Sequence, residues 1–167
     1  MTNDEWAVST SAPAMLKALH TNDPEYFETL VPDLHRYLIG CCWKIKYLVP
    51  QEHLRNGLRG AEKWIEGEIT DEQFSKLDWY AEAEAFAFEN INTLGRINEI
   101  KSLIESIDEL ADFTFGQAKE ILKSAAYFAE GAMIYSRMRK PFWKRMFESE
   151  FLCPDLLRQH IKPDFQK

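Results

Sequence analysis

The chain has 167 residues, a mass of 19.5 kDa and a formal net charge of −7. That length suits one domain able to bury about two-thirds of its unfolded surface, so neither a metal nor a disulfide is needed to hold it together. Hydrophobic residues at 46% and charged ones at 28% exclude a disordered chain, and the negative balance excludes a surface given over throughout to nucleic acid.

Five tryptophans, six tyrosines and eleven phenylalanines imply an aromatic-rich core or rings set on a contact surface. Three cysteines, two of them adjacent, do not make a secreted disulfide framework, so a reducing compartment is expected. The N-terminus MTNDEWAV is acidic and lacks an apolar segment, so no secretory leader is expected. No run of about 18 apolar residues occurs, and a cytoplasmic, soluble protein that does not enter membranes is the expectation.

Taken in order, Thr2 and Glu5 have the spacing of a capping box and predict a short helix over Asp4 to Val8. Ser11-Ala12-Pro13 opens a second helix with Met15, Leu16 and Leu19 on its apolar edge. Asn22-Asp23-Pro24 caps a third over Glu25 to Leu30, and Pro32 requires a break just before it. The segment from about Asp33 to Val49 then reads as the central helix. Leu34, Tyr37, Leu38, Cys41, Ile45 and Leu48 fall on one face of it.

Pro50 ends that helix and opens another over Gln51 to Glu66, facing inward through Leu54, Leu58, Ala61 and Ile65. Gly57 and Gly60 within it allow a neighbouring helix to come close. Gly67 suits a C-terminal cap, and Thr70 with Gln73 forms a second capping box. The next helix, Asp71 to about Leu94, uses Phe74, Leu77, Ala81, Ala85, Phe88 and Ile91, with Glu82, Glu84 and Glu89 on its other face. Gly95 is expected to break the chain. Ile97, Ile100, Leu103, Ile104, Ile107, Leu110 and Ala111 come next as the cleanest amphipathic pattern. Thr114 and Gln117 start a long helix to about Met138, with Ala118, Ile121, Leu122, Ala125, Phe128, Ala129 and Ala132 facing inward. Pro141 opens a shorter helix through Phe142, Met146 and Phe147, and Pro154 a last one before Lys162-Pro163-Asp164. No strand-like alternation or repeat appears. The expectation is an all-α, single-domain bundle of six to eight helices over residues 1–160, with a tail over 161–167.

Several stretches resemble a planctomycete-type family of bacterial proteins. Asp4-Glu5-Trp6 with Pro13, Met15-Leu16 and Leu19 after it is similar to the family's N-terminal pattern. Cys41-Cys42-Trp43-Lys44-Ile45-Lys46-Tyr47-Leu48 resembles its double-cysteine motif. Ala61-Glu62-Lys63-Trp64 with Gly67 and Thr70-Asp71-Glu72 resembles the family's A-E-x-[WY]-x-x-G motif and acidic helix start. Asp155-Leu156-Leu157-Arg158 matches its closing motif. Lys162-Pro163-Asp164-Phe165 departs from the family's N-P-F ending, and Tyr80 to Phe151 carries no match. The resemblance covers about half the chain; it implies a bacterial protein and supplies no activity.

Cys41 and Cys42, with His35, His53, Cys153 and His160, are the residues from which a zinc or redox site would be assembled. No C-x-x-C or H-x-x-x-H occurs, and adjacent helical cysteines point about 100° apart, so buried packing is expected and no metal or cofactor. Asp78, Glu82, Glu84 and Glu89 suggest a di-metal bundle only if a Glu-x-x-His pair is present, and none is, so a solvated acidic face is expected. Glu62, His53 and Cys42 are the residues to inspect for catalysis, although no nucleophile elbow or phosphate-binding glycine loop exists. The most suggestive stretch is Arg137, Arg139, Lys140, Phe142, Trp143, Lys144 and Arg145, cations around two rings. These are the candidate partner-binding residues. The expected function is a non-catalytic interaction module, an adaptor, regulator or inhibitor that binds another bacterial protein. An accessory part in a defence or signalling system fits that class. The alternative is a nucleic-acid-associated regulator using the same segment, whose cations would contact phosphates and whose rings would stack on bases.

Overall fold

Side-chain caps begin five of the helices, at the spacings the sequence advertises. In the computed structural model, which describes residues 1–89, 94–138, 140–163 and 165 without the side chains of Lys140, Pro141 and Phe142, regular structure is helical and no strand occurs among those residues. Thr2 caps α1 (Asn3–Val8) through a reciprocal box with Glu5, and Ser11 caps α2 (Ala12–Asn22). Asp23 accepts the Tyr26 amide at 2.9 Å to begin α3 (Pro24–Thr29). α4 (Val31–Lys44) carries Pro32 in its first turn, where no amide partner is lost. α5 (Glu52–Ile65) ends on Gly67, whose φ of 74° is the left-handed turn that glycine takes without strain.

Thr70 with Gln73 and Thr114 with Gln117 make full capping boxes on α6 (Asp71–Phe86) and α8 (Phe115–Met133). α7 (Leu94–Glu105) lies between them, and α9 (Lys140–Phe147) and α10 (Pro154–His160) complete the chain. Ten α-helices therefore occur among the described residues, correcting the expected six to eight. The capping and proline signals mark a helix start at each of the short α1, α3 and α10, six or seven residues long, so the total of six to eight undercounts the segments read in chain order.

Other boundaries shift for local reasons. α4 stops at Lys44, and Lys46–Leu48 tightens into a 3₁₀ turn before Pro50. Arg55 closes that end, donating from Nε to the Val49 carbonyl at 2.7 Å and from Nη2 to the Lys46 carbonyl at 2.9 Å. α6 ends at Phe86 rather than near Leu94, and Ile91 lies outside the described residues. Gly95 does not break the chain but sits in the first turn of α7. The amphipathic run of residues 97–111 divides into α7 and a 3₁₀ turn at Asp108–Leu110, joined where Ile107 is extended. α8 likewise gives way at Ile134 to a 3₁₀ turn, Tyr135–Arg137.

α4 is central. It packs against α8, α10, α5, α3 and the turn at Tyr135–Arg137, and buries Leu34, His35, Tyr37, Leu38, Ile39, Cys41 and Cys42. The burial of Ile39 and Cys42, off the expected stripe, results from neighbours on more than one side. α5, α6 and α8 pack on one another to form the opposite half of the core. Gly57 and Gly60 sit where the helices come closest: a Cβ on Gly60 would collide with Leu77, and one on Gly57 with Met133, as well as lying 3.0 Å from the Ala81 Cβ. The ends of the chain also meet, since Arg158 donates to the Trp6 and Ser9 carbonyls at 3.2 and 2.8 Å and Phe165 rests on Trp6. Ile161, at the start of the expected tail, is buried. No helix among the described residues is long and apolar enough to cross a membrane.

His35 is the buried polar residue that joins the two halves. Its Nε2 lies 2.8 Å from the Met133 carbonyl oxygen at the C-terminus of α8. A carbonyl only accepts, so Nε2 carries the proton and Nδ1 is bare; Nδ1 has no hydrogen-bond partner. Burial, the largest cause, lowers the His35 pKa from 6.5 to about 4 against the opposing pull of the Met133 and Ala132 carbonyls.

This packing has two measurable consequences. Gly57→Ala is expected to destabilise by about 1–3 kcal/mol, overriding helix propensity, while Gly95→Ala, in open space, is expected to stabilise by about 0.5–1 kcal/mol. Urea midpoints check both signs. Between pH 6.5 and 4 the unfolded chain takes up a proton at His35 that the folded chain refuses, so stability drains as pH falls through that window, by about 1.4 kcal/mol per pH unit. His35→Leu should remove that part of the slope while costing about 1–3 kcal/mol at pH 7.5 for the uncapped carbonyl. A variant with the native slope would refute the assignment.

Candidate functional site

The basic-aromatic segment spans the end of the Tyr135–Arg137 turn and α9. Trp143 is only 8% exposed and packs among Phe27, Tyr135 and Phe147, so its ring faces the core. The Arg137 guanidinium lies 5.9 and 5.5 Å from the Trp64 and Phe74 ring centroids, which are stacked 5.0 Å apart, and donates to Ser75 Oγ at 3.3 Å. One face of it is therefore committed to packing while the rest stays exposed. Lys144 is exposed and 3.7 Å from Glu148, and Arg145 is exposed on the rim of a groove. Arg139 lies outside the described residues, as do the side chains of Lys140 and Phe142.

The cysteines and histidines are dispersed through the packing. Cys41 and Cys42 are fully buried, and burial pushes the Cys41 thiol up to about 11 and Cys42 well above its usual value, keeping both protonated. Cys153 meets Cys41 through a backbone N–H to Sγ at 3.4 Å. His53 stacks on Tyr80 at 5.3 Å, and His160 lies beside Tyr37 at 6.5 Å. Glu62 accepts the Trp43 indole N–H at 2.6 Å and stands nine residues from His53 on the same helix, about 13 Å along its axis. Glu62, His53 and Cys42 are thus not brought together. Among the described residues no three histidine, cysteine or carboxylate side chains are placed to hold a metal ion.

The acidic face of α6 divides by role. Glu84 Oε2 accepts the Leu54 amide at 3.1 Å, capping the start of α5, which has no side-chain cap of its own. Glu89 pairs with Lys123 at 3.6 Å. Asp78 is half-buried, and burial raises its pKa, with Arg137 opposing and Glu82 adding to the rise.

A different surface stands out from the three-dimensional structure. Trp79 is 63% exposed, Tyr80 50% and Phe86 47%, all on α6. Seven residues is close to two full turns, so Trp79 and Phe86 share one face with Ala83 between them. That face lies opposite the buried stripe of Phe74, Ala81 and Ala85. Beside it runs a groove of about 1000 Å³ between α6, α8 and the region of α9. Among the described residues Phe86, Tyr127, Phe128 and Phe151 supply its rings, and Glu89, Glu120, Glu130, Glu148 and Glu150 outnumber Lys123 and Arg145 along it. Phe86 meets Tyr127 edge-on at 5.6 Å, with the Lys123 ammonium 5.9 Å over the Tyr127 ring. Glu130 is half-buried, and its carboxyl makes no hydrogen bond or ion pair among the described residues. Burial, then Asp78 and Glu82, raise its pKa to about 7 against the pull of Arg145.

The sequence holds a signal for this face that the buried-stripe reading passes over. Trp79 and Phe86 recur at seven-residue spacing on the side of a helix whose core positions are already filled. The groove has no such signal, because α6, α8 and α9 meet only in the fold. No protein family, no curated protein and no solved structure matches the chain.

The electrostatics give a measurable consequence. Glu130 holds its proton more tightly folded than unfolded, so its share of stability is present below about pH 4.5 and is lost as pH rises through about 7. Glu130→Gln is expected to stabilise the protein by about 1 kcal/mol at pH 8, a figure reduced for solvent screening, and by almost nothing at pH 4.5. Denaturant titrations at the two pH values check it, and equal effects at both would refute the raised pKa.

Proposed function

We propose that this is a non-catalytic helical interaction module, an adaptor, regulator or inhibitor that works in the cytoplasm by docking onto another bacterial protein. The observation that carries the reading is the exposed aromatic face of α6. Three large rings held in water on one helix cost solvation free energy, and a partner that covers them recovers it. Tryptophan and tyrosine are also the side chains that concentrate binding energy at protein interfaces. Arg145 lines the groove, and with the exposed Arg137 and Lys144 it would add a polar rim.

Those same three cations support a second reading, contact with nucleic acid. Trp143 is turned into the core and gives that reading no stacking ring. The two readings separate in one experiment. Affinity capture with the tagged chain from its host is expected to retain one stoichiometric protein after nuclease treatment, with Trp79→Ser and Phe86→Ser each reducing the yield at least about tenfold without unfolding the protein. Lys144→Glu with Arg145→Glu is expected to weaken capture more modestly. Co-purifying nucleic acid that falls steeply with salt and disappears with the cation variants would replace the first reading by the second.

A further inference from the structure

We propose that the Trp79–Phe86 face of α6 and the acidic groove beside it receive a cationic amphipathic helix of the partner, its apolar side chains on the rings and an arginine or lysine reaching toward Glu130. The inference rests on the docking reading and adds the chemistry of the occupant.

Shape comes first. Trp79, Ala83 and Phe86 form a stripe about two turns long, a length that an apolar i, i+3, i+7 edge of a second helix matches. Phe86 belongs both to the stripe and to the groove wall, so a helix lying on the rings has its flank over the groove. On that side α6 presents Asp78 and Glu82, with Glu89 just beyond its end.

Charge then selects the occupant. Among the described residues five carboxylates line the groove against two cations; Glu89, Glu120 and Glu148 are paired with Lys123, Lys119 and Lys144, which leaves Glu130 and Glu150 without an ion pair among those residues. Among the described residues the groups facing Glu130 are Asp78 and Glu82 from α6, Arg145 from α9 and Tyr127 from its own helix. Arg145 comes nowhere within ion-pair distance of Glu130, which leaves a half-buried carboxyl among like charges with a groove in front of it. A guest guanidinium or ammonium supplies the missing counter-charge in a partly desolvated site, where such a pair counts for more than on an open surface. The same carboxylates repel phosphates, so the groove disfavours nucleic acid. Entry of a cation also drives the proton off Glu130, and affinity should rise about tenfold between pH 6 and pH 8.

The test uses the full chain and three synthetic helices about four turns long. All carry leucine on one face; the flanking positions are arginine, citrulline or glutamate. Fluorescence anisotropy at low salt is expected to register binding of the arginine peptide, with affinity reduced about tenfold or more by citrulline, by Glu130→Gln or by Trp79→Ser, and unaffected by Val8→Ser. Equal binding of the arginine and citrulline peptides overturns the proposal, as does an arginine peptide that fails to bind or that ignores Glu130→Gln. A doubling of mass in ultracentrifugation that Trp79→Ser abolishes would assign the face to a second copy of the chain and also overturn it. If Trp79→Ser abolishes capture from the host while the arginine peptide fails to bind, the occupant chemistry is wrong and the docking reading stands. If capture ignores both Trp79 and Phe86, the docking reading itself falls.

Discussion

The hydrogen bond from His35 to the Met133 carbonyl is the point on which the two halves of the molecule turn. The last carbonyls of a helix lack partners within it, and at the buried end of α8 water is not there to serve them. α4 supplies the donor. To do so His35 must stay neutral, with its proton on Nε2, inside the packing of Trp64 and Tyr135. The rest of the core arranges itself around that register. Met133 places its side chain over Gly57 of α5, and Gly57 and Gly60 let α6 come down close enough for Glu84 to cap α5. That bond ties the end of α8 to α4 within the wider packing of the two helices, and α8 in turn packs on the α5–α6 pair.

Once α6 is held in that way, its outer face is left without a covering element among the described residues. The buried stripe of Phe74, Ala81 and Ala85 is satisfied, and Trp79 and Phe86 point away from it. Nearby, Glu130 keeps a carboxyl where burial and two neighbouring carboxylates penalise its charge. Exposed rings and a destabilised carboxylate both work against the stability of the isolated chain. Their coincidence on adjoining surfaces is the physical ground for reading that region as an interface, and the basic segment, with its tryptophan buried and its described cations exposed, as its frame. Trp143 and Arg137 act chiefly in that frame, one in the core and one laid across Trp64 and Phe74.

Much of the local structure is legible from the residues because its causes are local. Thr2, Ser11, Asp23, Thr70 and Thr114 announce helix starts through side chains only three residues from their targets, and Gly67 announces a left-handed turn. The stripe on α4 is legible for the same reason. What escapes the sequence depends on distant partners. α4 ends early because Arg55, from the next helix, holds the Val49 and Lys46 carbonyls. Gly95 lies in the first turn of α7 despite its low helix propensity. The role of Glu84 as a cap for α5 is invisible thirty residues away from Leu54. The face at Trp79 and Phe86 lay within reach of the heptad spacing, but the groove needed α6, α8 and α9 in place.

Site-specific photocrosslinking in the host reads directly what covers the outer face of α6. A photoreactive benzoylphenylalanine is put in place of Trp79, Phe86 or Val8, the last an exposed apolar position remote from the groove lining. One discrete protein adduct is expected from positions 79 and 86 and none from position 8. Adducts from position 8 alone, or none from either α6 position, would contradict the docking reading.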